Sequence, residues 1–382
     1  MQKKHLGRML CSFALSALTL WGVSVTTAAK DARAALRSLR EESLGVMLLR
    51  HERGDGGEEY LSMQTSLALR AAPLLRGEDE RIAQAWSTEL TQKPDDGAAG
   101  DAQDNEGTVL TQEKTPDEVA VTENGVPART LKASDPSGYT VFGNVYINNG
   151  SDAALDASML GADYAACLGA DEPQVLIIHT HGTESYTMPP GQEYDVSDTF
   201  RTLDTNCNMI RIGDEMAQVL TDAGISVVHD RALYDYPSYS GAYNRSLASI
   251  ESYLQKYPSI SFVLDVHRDA VQDANGNQFK LLCGEDAGAA QLEFVIGSNG
   301  GGLSHDLWRE NLKLACAVQE TLYKDYPTLM RPVTVRNSRY NQHMTTGSLL
   351  VEVGTAGNSL EEAINAARIF AAGFAKTIQN GT

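Results

Sequence analysis

The sequence predicts an α/β fold in which a mostly parallel sheet carries helices on both faces. From residue 138 onward, short apolar runs alternate with longer amphipathic stretches, as in strands that are connected by helices. Three of the apolar runs end abruptly in His, Asp or Glu. Open α/β sheets bind ligands at the carboxyl ends of their strands, so these three ends are the candidate functional edge.

The predicted elements follow one another in a regular order. The first apolar strand covers residues 175–178, and an amphipathic helix over 206–223 stops at Gly224 before a short strand over 225–228. The same alternation predicts three further helices and four further strands: helices over 246–256, 307–323 and 359–378, and strands over 260–266, 294–296, 332–335 and 349–353.

Ahead of this domain, which covers residues 137–382, the chain changes character. Residues 31–92 repeat leucine and methionine at helical spacing, which predicts a helical membrane-proximal region. Residues 93–136 are rich in Asp, Glu, Gly, Thr and Pro and contain no aromatic residue. A segment this polar cannot bury enough apolar surface to offset its ordering entropy, so an acidic disordered linker is predicted there.

The first 30 residues predict a membrane anchor or a signal. A basic start, with Lys3, Lys4 and Arg8, precedes residues 9–29, in which no side chain is charged. This length spans a bilayer as a helix, and the basic flank predicts a cytoplasmic N-terminus. We therefore expect a single-pass protein of the cell membrane whose main domain is extracytoplasmic. Residues 26–29 also suit signal peptidase, so cleavage remains an alternative.

The charge of the chain narrows the classes of partner. A formal net charge of −19 and a pI of about 4.8 exclude nucleic acid as the main partner, because a phosphate backbone attracts basic surfaces. The sequence also has no Cys-x-x-Cys pair, which argues against a zinc site made of thiolates.

A cation site is predicted at the end of the first strand. His181 and Glu184 form an H-x-x-E spacing there, so one turn of chain brings both side chains to the same cation. Neutral imidazole together with carboxylate is the donor mixture of catalytic zinc sites. If the strand continues one pair of residues further, however, the alternative is that His179 faces the site and His181 faces away. We predict His181 as the ligand and keep His179 as an alternative ligand or a supporting residue.

Two later strands supply the remaining groups. His267 is the third predicted metal ligand, and Asp265 shares its strand face. Asp265 is expected to orient the imidazole or, alternatively, to pair with Arg268 or Arg231. Glu352, at the end of the last strand, is the predicted general base that takes a proton from water, and Zn²⁺ is the predicted cofactor.

Several further residues are predicted to contact the substrate. Arg201, Arg268 and Arg245 are candidates to neutralise a substrate carboxylate or to stabilise an oxyanion. Of these, we assign Arg268 to the catalytic set and Arg201 to substrate binding. Tyr340 and Asn341 lie in a polar segment just before the last strand and are suited to bind substrate amides.

The chain also resembles the stage II sporulation protein P family, whose members are membrane-anchored cell-wall hydrolases of endospore-forming bacteria. The motifs that carry the resemblance keep their order across roughly residues 140–380: HTHGTESY at 179–186, HD at 229–230 with YDYPSY at 234–239, DVHRD at 265–269, RYNQH at 339–343 and LVEVG at 350–354.

The resemblance implies a zinc-dependent N-acetylmuramoyl-L-alanine amidase fold and a peptidoglycan substrate. It implies cleavage between N-acetylmuramic acid and L-alanine, a second peptide-cleaving activity, and action with stage II sporulation proteins D and M in forespore engulfment. The family's histidine and late glutamate roles carry over to His181 (or His179), His267 and Glu352. In related amidases the carboxylate ligand comes later in the chain than Glu184 does here.

Two other functions fit the same residues. One is a zinc endopeptidase or carboxypeptidase that acts within the stem peptide, which would release shortened muropeptides instead of free stem peptides. The other is a non-enzymatic envelope scaffold built on a degenerate hydrolase domain, which would hold no metal.

Overall fold

The structure is a computed structural model that describes residues 108–109, 117–121, 126–161, 163–188, 200–272 and 278–381. Every described residue lies within the unit Ala98–Thr382. The predicted anchor and the predicted helical region therefore lie outside the described residues. Within the described ranges, no helix combines the length and the apolar character that crossing a membrane requires.

Thirteen strands run through the described part of the chain. In chain order they are β1 (Thr108–Val109), β2 (Asp117–Val121), β3 (Pro127–Thr130), β4 (Thr140–Phe142), β5 (Val145–Asn149), β6 (Val175–Ile178), β7 (Val227–His229), β8 (Phe262–Asp269), β9 (Val271–Gln272), β10 (Lys280–Leu281), β11 (Leu292–Gly297), β12 (Val333–Arg336) and β13 (Gly347–Thr355).

Eight of these strands form the central sheet, in the order β4-β5-β12-β11-β13-β8-β6-β7. Strands β13, β8, β6 and β7 are parallel to one another, and so are β5, β12 and β11. However, β11 runs antiparallel to β13, and β4 runs antiparallel to β5. The sheet is therefore mixed, which corrects the predicted mostly parallel arrangement.

The reversal has a physical reason. A parallel neighbour requires a long crossover connection, usually a helix, that returns the chain to the starting edge of the sheet. Between β8 and β11 the described chain contains only the short strands β9 and β10 and no helix. The chain thus enters β11 from the opposite edge of the sheet. The alternation of apolar segments in the sequence is the same for either strand direction, so it does not predict this reversal.

Four α-helices accompany the strands: α1 (Met209–Asp222), α2 (Ala242–Lys256), α3 (Trp308–Tyr323) and α4 (Leu360–Asn380). Helix α1 begins after Asn208, whose side chain accepts a hydrogen bond from the backbone N–H of Ile210. Helix α4 begins with a capping box formed by Ser359 and Glu362. Helix α2 starts one turn earlier than the predicted residue 246.

Helices lie on both faces of the sheet, as predicted. The main core lies between one face and helices α1, α3 and α4. Helix α2 covers the other face at β6 and β8, where Leu176, Ile178 and Val263 pack with its residues Ala242 and Ile250. The strand residues of the two cores alternate along the chain, as the pleat of a strand requires.

Beyond α2, the second face of the sheet carries polar side chains. The strand register and the alternation of side chains place five polar residues on this second face, and we call this group the polar face. Its members are Glu352 on β13, Glu293 on β11, Thr334 and Arg336 on β12, and Asn148 on β5. Asn148 is exposed, and Thr334, Arg336 and Glu352 are half-buried.

A second, smaller sheet shows that the folded domain begins before residue 137, which was the predicted boundary. Strands β10, β3 and β2 form it, and β3 lies inside the predicted disordered linker. The side chain of Ala128 is buried, and the guanidinium carbon of Arg129 lies 3.9 Å from the centre of the Phe279 ring. The folded unit therefore begins before residue 137, because backbone pairing with β10 and contacts with residues about 150 positions later order a segment that has no apolar periodicity.

Candidate metal centre

The carboxyl ends of β6, β8 and β13 lie side by side at one edge of the sheet. These three strands are adjacent and parallel, in the order β13-β8-β6. In the register, His267 on β8 is the partner of Glu352 on β13, and Asp265 is the partner of Ile178 on β6. Residues from the three separate sequence motifs are thereby brought together.

Three buried side chains at this edge form a group whose ligand atoms lie within 4.8 Å of one another: His181, Glu184 and His267. We call this group the His–Glu–His cluster. The two carboxylate oxygens of Glu184 each lie 3.6 Å from an imidazole Nδ1, one from His181 and one from His267. The turn that carries the first two residues is closed by a hydrogen bond of 3.2 Å from the Glu184 N–H to the His181 carbonyl.

Burial and neighbouring charges set opposite proton affinities within the cluster. Burial lowers the pKa of His181 to about 3. Burial also acts to lower the pKa of His267, but the carboxylates of Asp265 and Glu184 more than offset it and hold that pKa well above its usual value. Burial acts to raise the pKa of Glu184, yet His267 and Arg268 bring it below its usual range. Glu184 is therefore ionised, as a metal ligand must be.

Asp265 supports the cluster from behind. Its carboxylate accepts hydrogen bonds from the backbone N–H of Thr180 at 2.8 Å and from the Thr180 hydroxyl at 2.6 Å. One of its oxygens also lies 3.0 Å from Nε2 of His267, although this ring nitrogen has no partner in hydrogen-bond geometry. Of the two roles that the sequence left open for Asp265, the structure shows the contact with the imidazole, whereas Arg231 pairs with Asp214.

His179 points away from the cluster towards helix α1. Its Nδ1 lies 2.9 Å from the backbone oxygen of Val266, and its Nε2 lies 2.8 Å from Nε2 of His229. Nδ1 of His229 lies in turn 3.1 Å from Asp214. A β-carbon at Gly213 would lie 2.4 Å from both Nε2 atoms, so the helix passes the two rings only because this residue is glycine.

Glu352 stands next to His267 on the same face of the sheet. Its Oε2 is inaccessible to solvent and has no hydrogen-bond partner among the described residues. Burial, together with the negative charges of Asp269 and Glu184, raises the pKa of Glu352 well above its usual value. Glu352 therefore lies outside the His–Glu–His cluster and beside it on the neighbouring strand.

Arg268 and Arg201, which were predicted to contact the substrate, instead contact groups of the protein itself. Arg268 donates from Nε to the Ser185 carbonyl at 3.0 Å and from Nη2 to the Phe200 carbonyl at 2.9 Å. Nη1 of Arg201 lies 2.8 Å from the carboxylate of Asp235, and its Nη2 lies 3.6 Å from Glu184. Both guanidinium groups therefore hold the segments that carry the cluster.

Tyrosines cover the cluster on the side of helix α2. The ring of Tyr239 stacks on His181 at a centroid distance of 4.5 Å, and the ring of Tyr243 lies parallel to that of His267 at 6.4 Å. Tyr340 contacts Tyr243 at 5.7 Å. The amide of Asn341, predicted to bind substrate, instead donates to the Tyr243 carbonyl at 2.8 Å.

Two residues near the cluster were given no role at the site by the sequence analysis, although Asp235 lies in the YDYPSY motif quoted there. Asp235, which pairs with Arg201, and Tyr243, which flanks His267, come from the segment between β7 and α2. The only signal in the sequence is the density of tyrosines over residues 234–243, which indicates a packed loop as well as a binding loop.

The strand order and the His–Glu–His cluster define a mixed α/β protein with a candidate metal centre at the carboxyl edge of its sheet. A family model described as Stage II sporulation protein P (SpoIIP) matches residues 60–375, which is most of the chain. The chain belongs to the stage II sporulation protein P family, and this confirms the resemblance found in the sequence motifs.

A curated relative carries the name of the same family. The stage II sporulation protein P of Bacillus subtilis (strain 168) is 29% identical over 210 residues, which cover 52% of this chain and 49% of the relative. The match thus spans about half the length of that protein.

Solved structures of amidases are also similar over part of the chain. The N-acetylmuramoyl-L-alanine amidase AmiC2 of Nostoc punctiforme is 16% identical, covers 56% of this chain and 96% of its own, and has a TM-score of 0.31. The CwlD amidase of Clostridioides difficile, solved in complex with the GerS lipoprotein, is 14% identical with coverages of 55% and 98% and a TM-score of 0.35. TM-scores this low carry no argument about the fold, and the fold is described from the strand order itself.

Proposed function

We propose that this domain is a zinc-dependent N-acetylmuramoyl-L-alanine amidase that hydrolyses the amide between N-acetylmuramic acid and L-alanine in peptidoglycan. The observation that carries the proposal is the buried His–Glu–His cluster with Glu352 beside it, at the carboxyl edge of three parallel strands. Membership of the stage II sporulation protein P family supports the choice of a cell-wall substrate.

The donor set fits zinc. Catalytic zinc sites combine imidazole nitrogen with carboxylate oxygen, use three protein ligands and leave one position for water or substrate. The cluster offers this set, and a carboxylate behind a ligating histidine, as Asp265 stands behind His267, is the usual supporting contact. A zinc ion held there supplies Lewis-acid chemistry, because it lowers the pKa of water and polarises a carbonyl oxygen.

Glu352 supplies the proton transfer. In amide hydrolysis the oxygen of water bonds to the carbonyl carbon, the carbon–nitrogen bond breaks, and the leaving nitrogen must gain a proton. Glu352 takes the proton from the attacking water and delivers it to that nitrogen. Burial raises the pKa of Glu352, as do the charges of Asp269 and Glu184, and this favours the protonated form that delivers a proton to the leaving nitrogen.

The surrounding side chains shield the cluster from bulk solvent. The three residues of the cluster are at most 6% exposed, and Tyr239 and Tyr243 lie against its two imidazole rings. Excluding water strengthens the electrostatic interactions at the reacting bond. Arg201 and Arg268 contribute by fixing the loop between β6 and α1.

Digestion of purified peptidoglycan tests the proposal. The full chain is incubated with peptidoglycan with and without a chelator, and the released products are identified by mass. Free stem peptides that disappear on chelation and return on addition of zinc are expected. Shortened muropeptides would indicate a peptidase acting within the stem, and intact peptidoglycan with a metal-free protein would indicate a non-enzymatic scaffold.

We further propose a place and partners for this activity. The apolar, uncharged residues 9–29 support an anchored protein whose domain works outside the cytoplasm. Family membership supports action in forespore engulfment, together with stage II sporulation proteins D and M. Fractionation of sporulating cells and co-purification with the tagged full chain test both points; a protein recovered alone from the cytosol would refute them.

A further inference from the structure

A cavity of about 290 Å³ lies beside strands β5 and β12. Four separate segments line it: the residues that follow β3, the β4–β5 hairpin, the end of α3 with the turn after it, and the residues that precede β12. Small-molecule sites have volumes of roughly 300–1,000 Å³, so this cavity has room for one small group. None of its lining residues belongs to the His–Glu–His cluster.

The cavity lies at the same edge of the sheet as the metal centre. Strands β5, β12 and β11 run opposite to β13, β8 and β6, so the amino ends of the first three meet the carboxyl ends of the others. In the register, Tyr146 on β5 is level with Glu293 on β11. Glu293 is the partner of Glu352, and Glu352 is the partner of His267. Four strand spacings of about 4.8 Å separate β5 from β8, so Tyr146 lies roughly 19 Å from His267 along this row.

The burial of the lining residues distinguishes a floor from a rim. Gln319 and Met330 are 5% and 8% exposed and form the floor. Lys132, Ser134 and Asn144 are exposed and form the rim. The wall between floor and rim contains three half-buried tyrosines, Tyr146, Tyr323 and Tyr326.

The tyrosines present both rings and hydroxyl groups. The ring of Tyr146 meets that of Tyr139 edge to face at a centroid distance of 5.6 Å, which fixes its orientation. The hydroxyls of Tyr323 and Tyr326 form no hydrogen bond with any described residue. A half-buried tyrosine of this kind can pack its ring against an apolar surface of a ligand and bond a polar group with its tip.

The floor contains an acceptor that lacks a donor. Nε2 of Gln319 donates to the Arg331 carbonyl at 3.1 Å, which sets the orientation of the amide. Its Oε1 is buried and has no hydrogen-bond partner among the described residues. Leaving a buried acceptor unpaired is unfavourable, so a ligand that brings an O–H or N–H group to the floor is favoured. A proline-rich peptide, which also binds to aromatic-lined grooves, has no N–H group at its prolines.

These features fit a neutral sugar better than a peptide. A pyranose ring has C–H faces that pack on aromatic rings and hydroxyl groups around its rim, which is the combination that tyrosines match. Among the described residues of the lining, Lys132 is the only charged one, and it is exposed at the rim. An extended peptide needs about six residues, at about 3.3 Å each, to reach from His267 to the cavity. A short stem bound at the metal centre therefore ends before the cavity, whereas a glycan strand continues past each stem.

We propose that this cavity binds an N-acetylated hexose of the glycan strand. The inference rests on the proposed function and adds to it a second contact with the same polymer. The strand is held at two points along one edge of the sheet, with the cleaved stem at the metal centre and a sugar between the three tyrosines. The cavity itself takes no part in the chemistry.

Calorimetric titration of the full chain with chitotetraose, a peptide-free tetramer of N-acetylglucosamine, tests the inference. The wild type should bind one tetramer per chain. Tyr323→Ala and Tyr146→Ala should each weaken the affinity roughly 10-fold, because each removes one ring contact. The two tyrosines belong to different elements, α3 and β5, so either variant decides the question if thermal unfolding shows that the other is not folded.

Tyr257→Ala is the matched control. Tyr257 is also half-buried, but it precedes β8 and so lies at the opposite edge of the sheet, and its removal should leave the affinity unchanged. A wild type that does not bind the tetramer would overturn the inference. Wild-type affinity in the Tyr323 and Tyr146 variants would overturn it as well, because the tetramer then binds elsewhere.

The proposed function is scored separately, by digestion of peptidoglycan. Release of stem peptides by a chain that does not bind the tetramer refutes the sugar site alone. Binding of the tetramer, weakened in both tyrosine variants, by a chain that releases no stem peptide refutes the amidase and leaves a glycan-binding domain.

Discussion

Glu352 and His267 are register partners on the adjacent parallel strands β13 and β8, so their side chains stand next to each other on one face of the sheet. One of the two belongs to the His–Glu–His cluster and the other does not. Under the proposed function, the pairing separates metal binding from proton transfer in neighbouring residues, and substitutions at the two positions should have different effects.

Replacing Glu352 by Gln should keep the metal and lose turnover. A residue that transfers protons contributes rate, typically 10²- to 10⁴-fold, and no affinity for the cation. Metal content by elemental analysis and kcat on muramyl peptides are measured on the same purified sample. A metal-free Glu352→Gln protein would make Glu352 a ligand and leave Glu184 as the base or a bystander.

The two histidines of the first motif should respond differently to substitution. His181→Ala should lose the metal, as should His267→Ala, because each removes a donor of the cluster. His179→Ala should keep most of the metal and lose stability or rate instead, because its ring contacts the Val266 carbonyl and His229 and points away from the cluster. Metal content of the folded variants is the measurement, and a metal-replete His181→Ala beside a metal-free His179→Ala would reverse the assignment.

Asp265→Asn should weaken metal binding by roughly 10- to 100-fold without abolishing it. The amide keeps the shape of the side chain but removes the charge beside Nε2 of His267. Competition with a chromogenic chelator gives the affinity, and Asp222→Asn, at an exposed position at the end of α1, is the matched control. Equal affinities for the Asp265 variant and the wild type would show that the imidazole needs no support from this carboxylate.

Arg201→Met should destabilise the protein by about 3–5 kcal/mol, because it leaves the buried carboxylate of Asp235 without its ion-pair partner. The double variant Arg201→Met with Asp235→Asn should recover part of that loss, since no charge is then left unpaired. Urea unfolding of the two variants and of Asp235→Asn gives the three free energies. Unchanged stability of Arg201→Met together with a raised KM would instead support the substrate-binding role that the sequence predicted.

The sequence predicts the parts of this site that depend on local chain order. Each of the three motifs lies in the last residues of a strand or just after it, and an apolar run that gives way to charged residues marks this region. The strand itself can run further, as β8 does to Asp269 and β13 does to Thr355. The closeness of His181 to Glu184 also follows from their spacing, which one turn of chain satisfies. These features need no knowledge of how distant segments pack.

Other parts of the site depend on contacts between distant segments. Asp235 and Tyr243 reach the cluster because helix α2 packs across β6 and β8, and no pattern along the chain specifies that crossing. The direction of β11 is decided by its connection to β8. The commitment of Arg268 to two carbonyls is likewise visible only once the loop after β6 is folded.

The antiparallel seam between β11 and β13 has a consequence for how the protein can be altered. It directs the carboxyl end of β11 to the edge of the sheet opposite the metal centre, and residues 299–302, which follow β11, are largely exposed there. The segments after β6, β8 and β13 lie at the edge that carries the candidate metal centre, whereas the glycine-rich segment after β11 lies at the other edge. A fluorophore or an affinity tag is therefore best inserted in the segment after β11, where it disturbs the candidate metal centre least.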